Sequence, residues 1–179
     1  MSSTIKQFEY YKLLGDKTFE QLNNDQFFWT PNKEDNSIAI IIKHISGNMR
    51  SRWTNFLIED GEKEWRNRDD EFINSFTNQE EVIAYWETGW QCLFNALNSV
   101  TEKNSDTIIY IRNQGHSITE AINRQLCHYS YHIGQIVFLG KFLNGDNWNS
   151  LSVTKGNSKK YNAEKFSKKK SRKHFTDDL

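Results

Sequence analysis

The sequence lacks the features that mark several classes of protein. A single proline among 179 residues favours long helices over many short strands. The two cysteines, Cys92 and Cys127, form neither a CxxC pair nor a disulfide framework, which fits a reducing compartment. No apolar run approaches the length of a membrane span, and the N-terminus has no secretory-signal pattern. We therefore expect a cytoplasmic protein with no membrane partner.

A net charge is also absent, but the balance hides an asymmetry. Residues 155–179 hold nine lysines and arginines against three acidic residues, so this tail carries about +6 and residues 1–154 about −6. We expect residues 1–154 to form one domain and residues 155–179 to be a basic, partly disordered tail. Nucleic-acid binding by the tail ranks well behind that interpretation.

What the sequence does have is aromatic side chains and helical periodicity. Twelve Phe, seven Tyr and six Trp can supply a large apolar core. Apolar residues recur at intervals of three and four in four segments, which predicts an all-α fold with four long helices. The segments are residues 3–22, a second beginning at Asn36 or Ser37, a third from a capping box at 77–80, and a fourth from a capping box at 117–120 to about 143.

The connecting segments also carry local signals. Gly15 and Asp16 interrupt the first pattern, which is compatible with a bend or a local break there. Residues 60–70 are strongly charged and are predicted to form an exposed loop. Residues 106–112 are β-branched in character and are predicted to cross the end of the helices as a strand-like connection.

Two of the predicted helices carry a row of polar residues directly beside the apolar row. The rows are His44, Asn48, Arg52 and Asn55 on the second helix, and Gln125, His128, His132 and Gln135 on the fourth. If the rows face each other, the second helix presents a histidine to the two histidines of the fourth. Neither row contains a carboxylate, so the sequence predicts no positioned general base.

The histidine spacing is the strongest chemical signal in the chain. His128 and His132 lie one helical turn apart on one face, where two neutral imidazoles can converge on a cation. As the third ligand, His44 is preferred over His116, which precedes a helix cap in a glycine-containing loop, and His174 lies in the tail. The competing interpretation is that these are partly buried histidines with ordinary hydrogen bonds, and spacing alone favours it.

The order of one histidine on the second helix and HxxxH on the fourth resembles the DinB/YfiT-like superfamily of four-helix metalloproteins. Residues 36–53, 60–63 and 124–136 resemble an uncharacterised branch of it, and the likeness spans about residues 5–156. The resemblance implies an up-down-down-up four-helix bundle. It also implies a divalent metal, zinc or nickel, on His44, His128 and His132, with open positions for water or substrate.

The resemblance also implies a class of reaction. Characterised members of the superfamily include metal-dependent thiol transferases and a mycothiol-dependent isomerase, in which the metal activates a low-molecular-weight thiol. We therefore expect a transferase using such a thiol, with a metal-dependent hydrolase or a non-catalytic interaction protein as alternatives. Asn48 and Gln125 are candidates for orienting ligands, and Arg52 for binding a substrate anion. A homodimer formed by helix packing is also expected.

Overall fold

The computed structural model describes residues 1–178, and most of that range is helical. Its regular elements are α1 (Ser2–Phe19), α2 (Asn24–Phe28), α3 (Ile38–Trp53), α4 (Gln79–Asn98), β1 (Ile108–Ile111), β2 (Gln114–Ser117), α5 (Ile118–Asn144) and α6 (Ser158–Phe166). Short 3-10 helices lie at Asp69–Phe72, Gly145–Asn147 and Phe175–Asp178. Within the described range, the helices are too short or too polar to cross a membrane.

The four long helices contribute to one apolar core. α3 packs along α4 and α1 along α5, with further contacts between α3 and α5 and between α1 and α4. Each long helix supplies fully buried side chains, among them Phe8, Ile45, Trp90 and Tyr129. The Trp90 ring lies edge-on to the Tyr129 ring at a centroid distance of 6.1 Å. The aromatic residues that stand out in the composition therefore form the centre of the fold.

Side-chain caps fix where three of the long helices begin. Ser37 caps α3, and α5 opens with the predicted capping box. In this box, Ser117 Oγ accepts from the Glu120 amide and the Glu120 carboxylate accepts from the Ser117 amide. The predicted capping box at 77–80 is wrong by one residue. Asn78 is the cap of α4, and its side-chain oxygen accepts from the Glu81 amide at 2.9 Å.

The local break allowed for at Gly15 and Asp16 does not occur, because α1 runs unbroken from Ser2 to Phe19. Gly15 serves a close approach between helices instead. A Cβ atom at this position would lie 2.6 Å from Cζ2 of Trp86 on α4. The neighbouring Asp16 carboxylate accepts a 2.8 Å hydrogen bond from the same indole. The glycine therefore makes room for the tryptophan.

The strand-like connection predicted at 106–112 is the first strand of an antiparallel hairpin, β1 paired with β2. Arg112 and Asn113 turn the chain with positive φ angles of 54° and 59°. Their amides donate to the Asp60 carboxylate, each at 2.8 Å, and the Gly61 amide donates to Tyr110 O at 2.8 Å. The hairpin thus anchors the segment that follows α3.

The prediction that residues 60–70 form an exposed loop is right for part of the segment only. Six of the eleven residues are exposed, namely Glu64, Trp65, Asn67, Arg68, Asp69 and Asp70. Lys63, in contrast, is 7 % exposed and the Arg66 side chain only 2 % exposed. Glu62 pairs with Arg66 and with Arg52 of α3, so part of the charge in this segment is paired inside the fold.

The basic tail returns to the body at its end. α6 has no buried residue, whereas Phe175 packs edge-on against Tyr10 of α1 at a centroid distance of 5.2 Å. Lys6 of α1 also forms an ion pair with Asp177. The last described residues therefore lie on the α1 surface.

Two glycines provide a matched test of the α1 to α4 contact. Gly15→Ala should destabilise the protein, because overpacking against Trp86 costs about 1–3 kcal/mol and exceeds the gain in helix propensity. Gly134→Ala, on α5 with open space around it, should instead stabilise by about 0.5–1 kcal/mol. Urea unfolding in the presence of a chelator measures both. A Gly15→Ala variant as stable as Gly134→Ala would contradict the close approach.

Candidate metal centre

The structure brings together the three histidines that the sequence singles out. His44 comes from α3, and His128 and His132 come from α5. One nitrogen from each ring lies within 4.8 Å of the other two. The ring centroids are 5.5 Å apart for His44 and His128, 5.0 Å for His44 and His132, and 4.8 Å for His128 and His132. The two polar rows therefore face each other at this point.

The His128 and His132 nitrogens are spaced as two ligands of one ion. Their Nε2 atoms are 3.1 Å apart. Two nitrogens bound at about 2.05 Å to a tetrahedral ion lie about 3.3 Å apart, and those of an octahedral ion about 2.9 Å. His132 Nδ1 is 2.7 Å from Gln135 Oε1, which can only accept, so Nδ1 carries the proton and the Nε2 lone pair is free. Without a metal, the same lone pair can accept a hydrogen bond from a protonated His128 Nε2.

His44 is oriented by a carboxylate that the sequence pattern does not reveal. Its Nδ1 donates to Glu71 Oε2 at 2.9 Å, which leaves Nε2 to face the other two histidines. Glu71 stands on the 3-10 helix Asp69–Phe72, and its carboxylate lies directly over Gly47 of α3. Any side chain at position 47 would occupy the place of that carboxylate. Metal-binding histidines commonly have such a carboxylate on their second nitrogen.

Arg66 completes the support behind His44. Its Nε donates to Glu71 Oε1 at 2.7 Å, and its terminal nitrogen donates to Oε2 at 2.9 Å. Burial opposes ionisation of Glu71, but the hydrogen bonds from His44 and Arg66 prevail and lower its pKa. Since both oxygens are already engaged, Glu71 holds the imidazole in place and is not a free base.

The surroundings keep the α5 histidines neutral. Burial, and next the nearby His132 and His44, lower the pKa of His128 to about 3. Burial also lowers the pKa of His132, against the hydrogen bond that its Nδ1 donates to Gln135. A neutral imidazole has the lone pair that a metal needs, so neither ring has to lose the extra proton of an imidazolium at neutral pH.

A cavity of about 190 Å³ opens beside His44 and His128. The three candidate supporting residues from the sequence, Asn48, Arg52 and Gln125, all line it. Asn48 Oδ1 accepts from the buried Tyr129 hydroxyl at 3.1 Å, which fixes the amide. The rest of the lining consists of arginines, namely Arg66, Arg68, Arg112 and Arg124.

The remaining chemical candidates lie elsewhere. Asn55 follows the end of α3 in a left-handed conformation, φ 48°, so it does not extend the α3 row. His116 is on β2, 3.4 Å from Arg124, and His174 contacts Phe175 in the tail. Cys127 is exposed rather than buried, because its position on α5 is turned away from the core.

The comparisons with known proteins agree with a whole-domain relationship. Residues 1–157 match the family model described as protein of unknown function (DUF1572). The chain belongs to the DUF1572 family. This family is DinB-like, and the matched segment contains every residue of the histidine cluster and its cavity. Curated proteins and solved structures give no match.

The buried pair of Arg66 and Glu71 should matter for stability as well as for orientation. Arg66→Ala leaves a buried carboxylate with His44 as its remaining partner, which should cost about 3–5 kcal/mol of unfolding free energy. Lys168→Ala, which breaks an exposed pair with Glu164, should cost under about 0.5 kcal/mol. Chemical denaturation of metal-free protein compares them. Equal losses in the two variants would contradict the role given to the buried pair.

Proposed function

We propose that the protein binds one divalent transition metal ion through His44, His128 and His132 and uses it in catalysis. The observation that carries this proposal is the convergence of three imidazole nitrogens within 4.8 Å, with Glu71 and Gln135 holding two of the rings. The hydrogen bonds on Nδ1 leave Nε2 of His44 and of His132 for the ion. The donor set fits zinc or nickel, which favour imidazole nitrogen.

Catalysis is favoured over a purely structural role by the number of ligands. Structural zinc sites are closed by four protein ligands, whereas catalytic sites have three and keep a position for water or substrate. The cluster here consists of three residues in the part of the chain that the structure describes. A polar cavity adjoins His44 and His128, so a substrate has a route to the open side.

For the reaction, we propose a transferase that uses a low-molecular-weight thiol. The support is the DinB-like family and the histidine pattern shared with the DinB/YfiT-like superfamily, to which we assign the chain. When bound, the ion would supply Lewis acidity that lowers the pKa of a thiol or a water. Glu71 would hold the His44 ring in one orientation. Asn48, fixed by Tyr129, would limit the directions from which a substrate approaches.

The same resemblance supports a specific order of helix directions and a specific oligomeric state. We propose that α1, α3, α4 and α5 form an up-down-down-up four-helix bundle, consistent with their pairwise packing. We also propose that the protein is a cytoplasmic homodimer. Phe138 and Phe142 stand one turn apart on α5 and are mostly exposed, which supports an apolar contact on that face.

Metal content tests the first half of the proposal. Protein purified without an affinity tag should take up about one zinc or nickel ion per chain, and His44→Ala and His128→Ala should lose it at matched circular dichroism. Glu71→Gln keeps the shape but not the charge, and should weaken metal binding about 10–100-fold in a chelator competition. His174→Ala is the control and should bind like wild type. Folded wild type that takes up no metal after reconstitution would overturn the proposal.

Thiol consumption tests the second half. Zinc- or nickel-loaded protein incubated with low-molecular-weight thiols and an aryl halide or epoxide should accelerate the loss of free thiol. The acceleration should disappear in His128→Ala, because the cluster is then incomplete. Metal-loaded wild type that matches His128→Ala with every thiol, yet loses stability when the metal is removed, would favour the non-catalytic alternative.

A further inference from the structure

Guanidinium groups dominate the cavity beside the histidines. Its charged lining consists of five arginines, Arg52, Arg66, Arg68, Arg112 and Arg124, from four different parts of the fold. The other lining residues are neutral or histidine. Such a concentration of like charge in a domain whose residues 1–154 carry about −6 needs a partner of opposite sign.

The fold supplies only part of that opposite charge. Glu62 pairs with Arg52 and Arg112, Glu71 pairs with Arg66, and the Asp60 carboxylate is close enough to Arg52 for that charge to lower its pKa. Arg68 and Arg124, by contrast, have no carboxylate partner among the side chains that the structure describes. Five guanidiniums against three carboxylates leave an excess of about two positive charges at the cavity.

Two buried polar atoms of the lining are also unsatisfied. Arg52 is 7 % exposed and Gln125 is 3 % exposed. Within the described residues, Arg52 Nε and Gln125 Oε1 have no hydrogen-bond partner, although the rest of the Arg52 guanidinium binds Gly61 O and Glu62. Both atoms are enclosed by protein, as are the unpaired Ser46 Oγ, Trp53 Nε1 and Trp90 Nε1 away from the cavity. The uncompensated guanidinium charge is therefore the feature that indicates a missing ligand.

We propose that this cavity binds a small dianion, with phosphoryl or dicarboxylate groups, and that the dianion is part of the substrate. The excess charge matches two negative charges better than one, and guanidinium groups bind both kinds of oxyanion in a bidentate manner. The volume of about 190 Å³ lies below the roughly 300–1,000 Å³ of pockets for drug-sized ligands, which selects a small molecule over a nucleotide.

Each part of the lining has a task in this assignment. Arg52, whose guanidinium is already fixed by Glu62, contributes its charge to the cavity wall. Arg68 and Arg124 supply the uncompensated charge, and Gln125 is the uncharged polar residue beside them. The anion site itself does not depend on a metal. The statement that the anion belongs to the substrate rests on the proposed function.

Calorimetric titration of the full chain tests the site with defined probes. Inorganic phosphate, succinate, acetate and uncharged succinamide are added separately to chelator-treated protein and to zinc-loaded protein of measured metal content. Phosphate or succinate should bind saturably to the metal-free protein, at least about tenfold more tightly than acetate, and succinamide should not bind. Which dianion binds more tightly distinguishes a phosphoryl from a dicarboxylate ligand.

Variants show whether the cavity is responsible. Arg68→Ala and Arg124→Ala should each weaken dianion binding about tenfold or more and leave the zinc content unchanged. Arg172→Ala removes the same charge from the exposed tail and should have no effect. The proposal is overturned if the dianions bind no better than succinamide, or if Arg172→Ala weakens binding as much as Arg124→Ala. A protein that binds the dianion but no metal would refute the proposed function and retain the anion site.

Discussion

The site depends on one buried carboxylate. Glu71 accepts from His44 on one side and from Arg66 on the other, and it reaches α3 only because residue 47 is glycine. The interaction joins the segment after α3 to the helix that carries the histidine. Without it, the His44 ring has no fixed tautomer and Arg66 loses its closest partner. The same carboxylate therefore orients His44, a candidate metal ligand, and holds Arg66 of the charged segment after α3.

Much of the fold could be predicted from the sequence because the signals are local. Apolar residues at intervals of three and four give the long helices, and Ser37 and Ser117 give the starts of α3 and α5. The pairing of His44 with His128 and His132 follows from two polar rows at helical spacing. The role of Gly15 as a close contact was not predicted, because a tertiary contact is not visible in a periodic pattern. The capping box at 77–80 was wrong by one residue, because the pattern does not show which of two neighbouring caps is used.

The parts of the site that the sequence did not reveal are tertiary in origin. Glu71 is separated from His44 by 27 positions and lies in no periodic segment. Residues 60–70 are charged and mostly exposed, and only the fold shows that Glu62 and Arg66 pair with each other in its buried part. The one available signal was the spacing, since Glu62 lies four residues before Arg66. The arginine cavity was missed because its lining comes from α3, this segment, the hairpin turn and α5.

Two opposite electrostatic tendencies therefore meet at the cluster. Burial lowers the pKa of the two α5 imidazoles, while the arginines beside them hold a positive field that the rest of the acidic domain does not share. Imidazole nitrogens suit a cation and a positive cavity suits an anion. Placed side by side, they suit a reaction in which an anionic molecule is brought to a metal ion.

We propose that His44, His128 and His132 bind one ion through their nitrogens. X-ray absorption at the metal edge of reconstituted protein measures this most directly. The expected spectrum shows about three imidazole nitrogens at about 2.0–2.1 Å, with the remaining coordination from water or another small ligand. A first shell of oxygen or sulfur ligands without imidazole scattering, or the same spectrum from a variant lacking all three histidines, would contradict it.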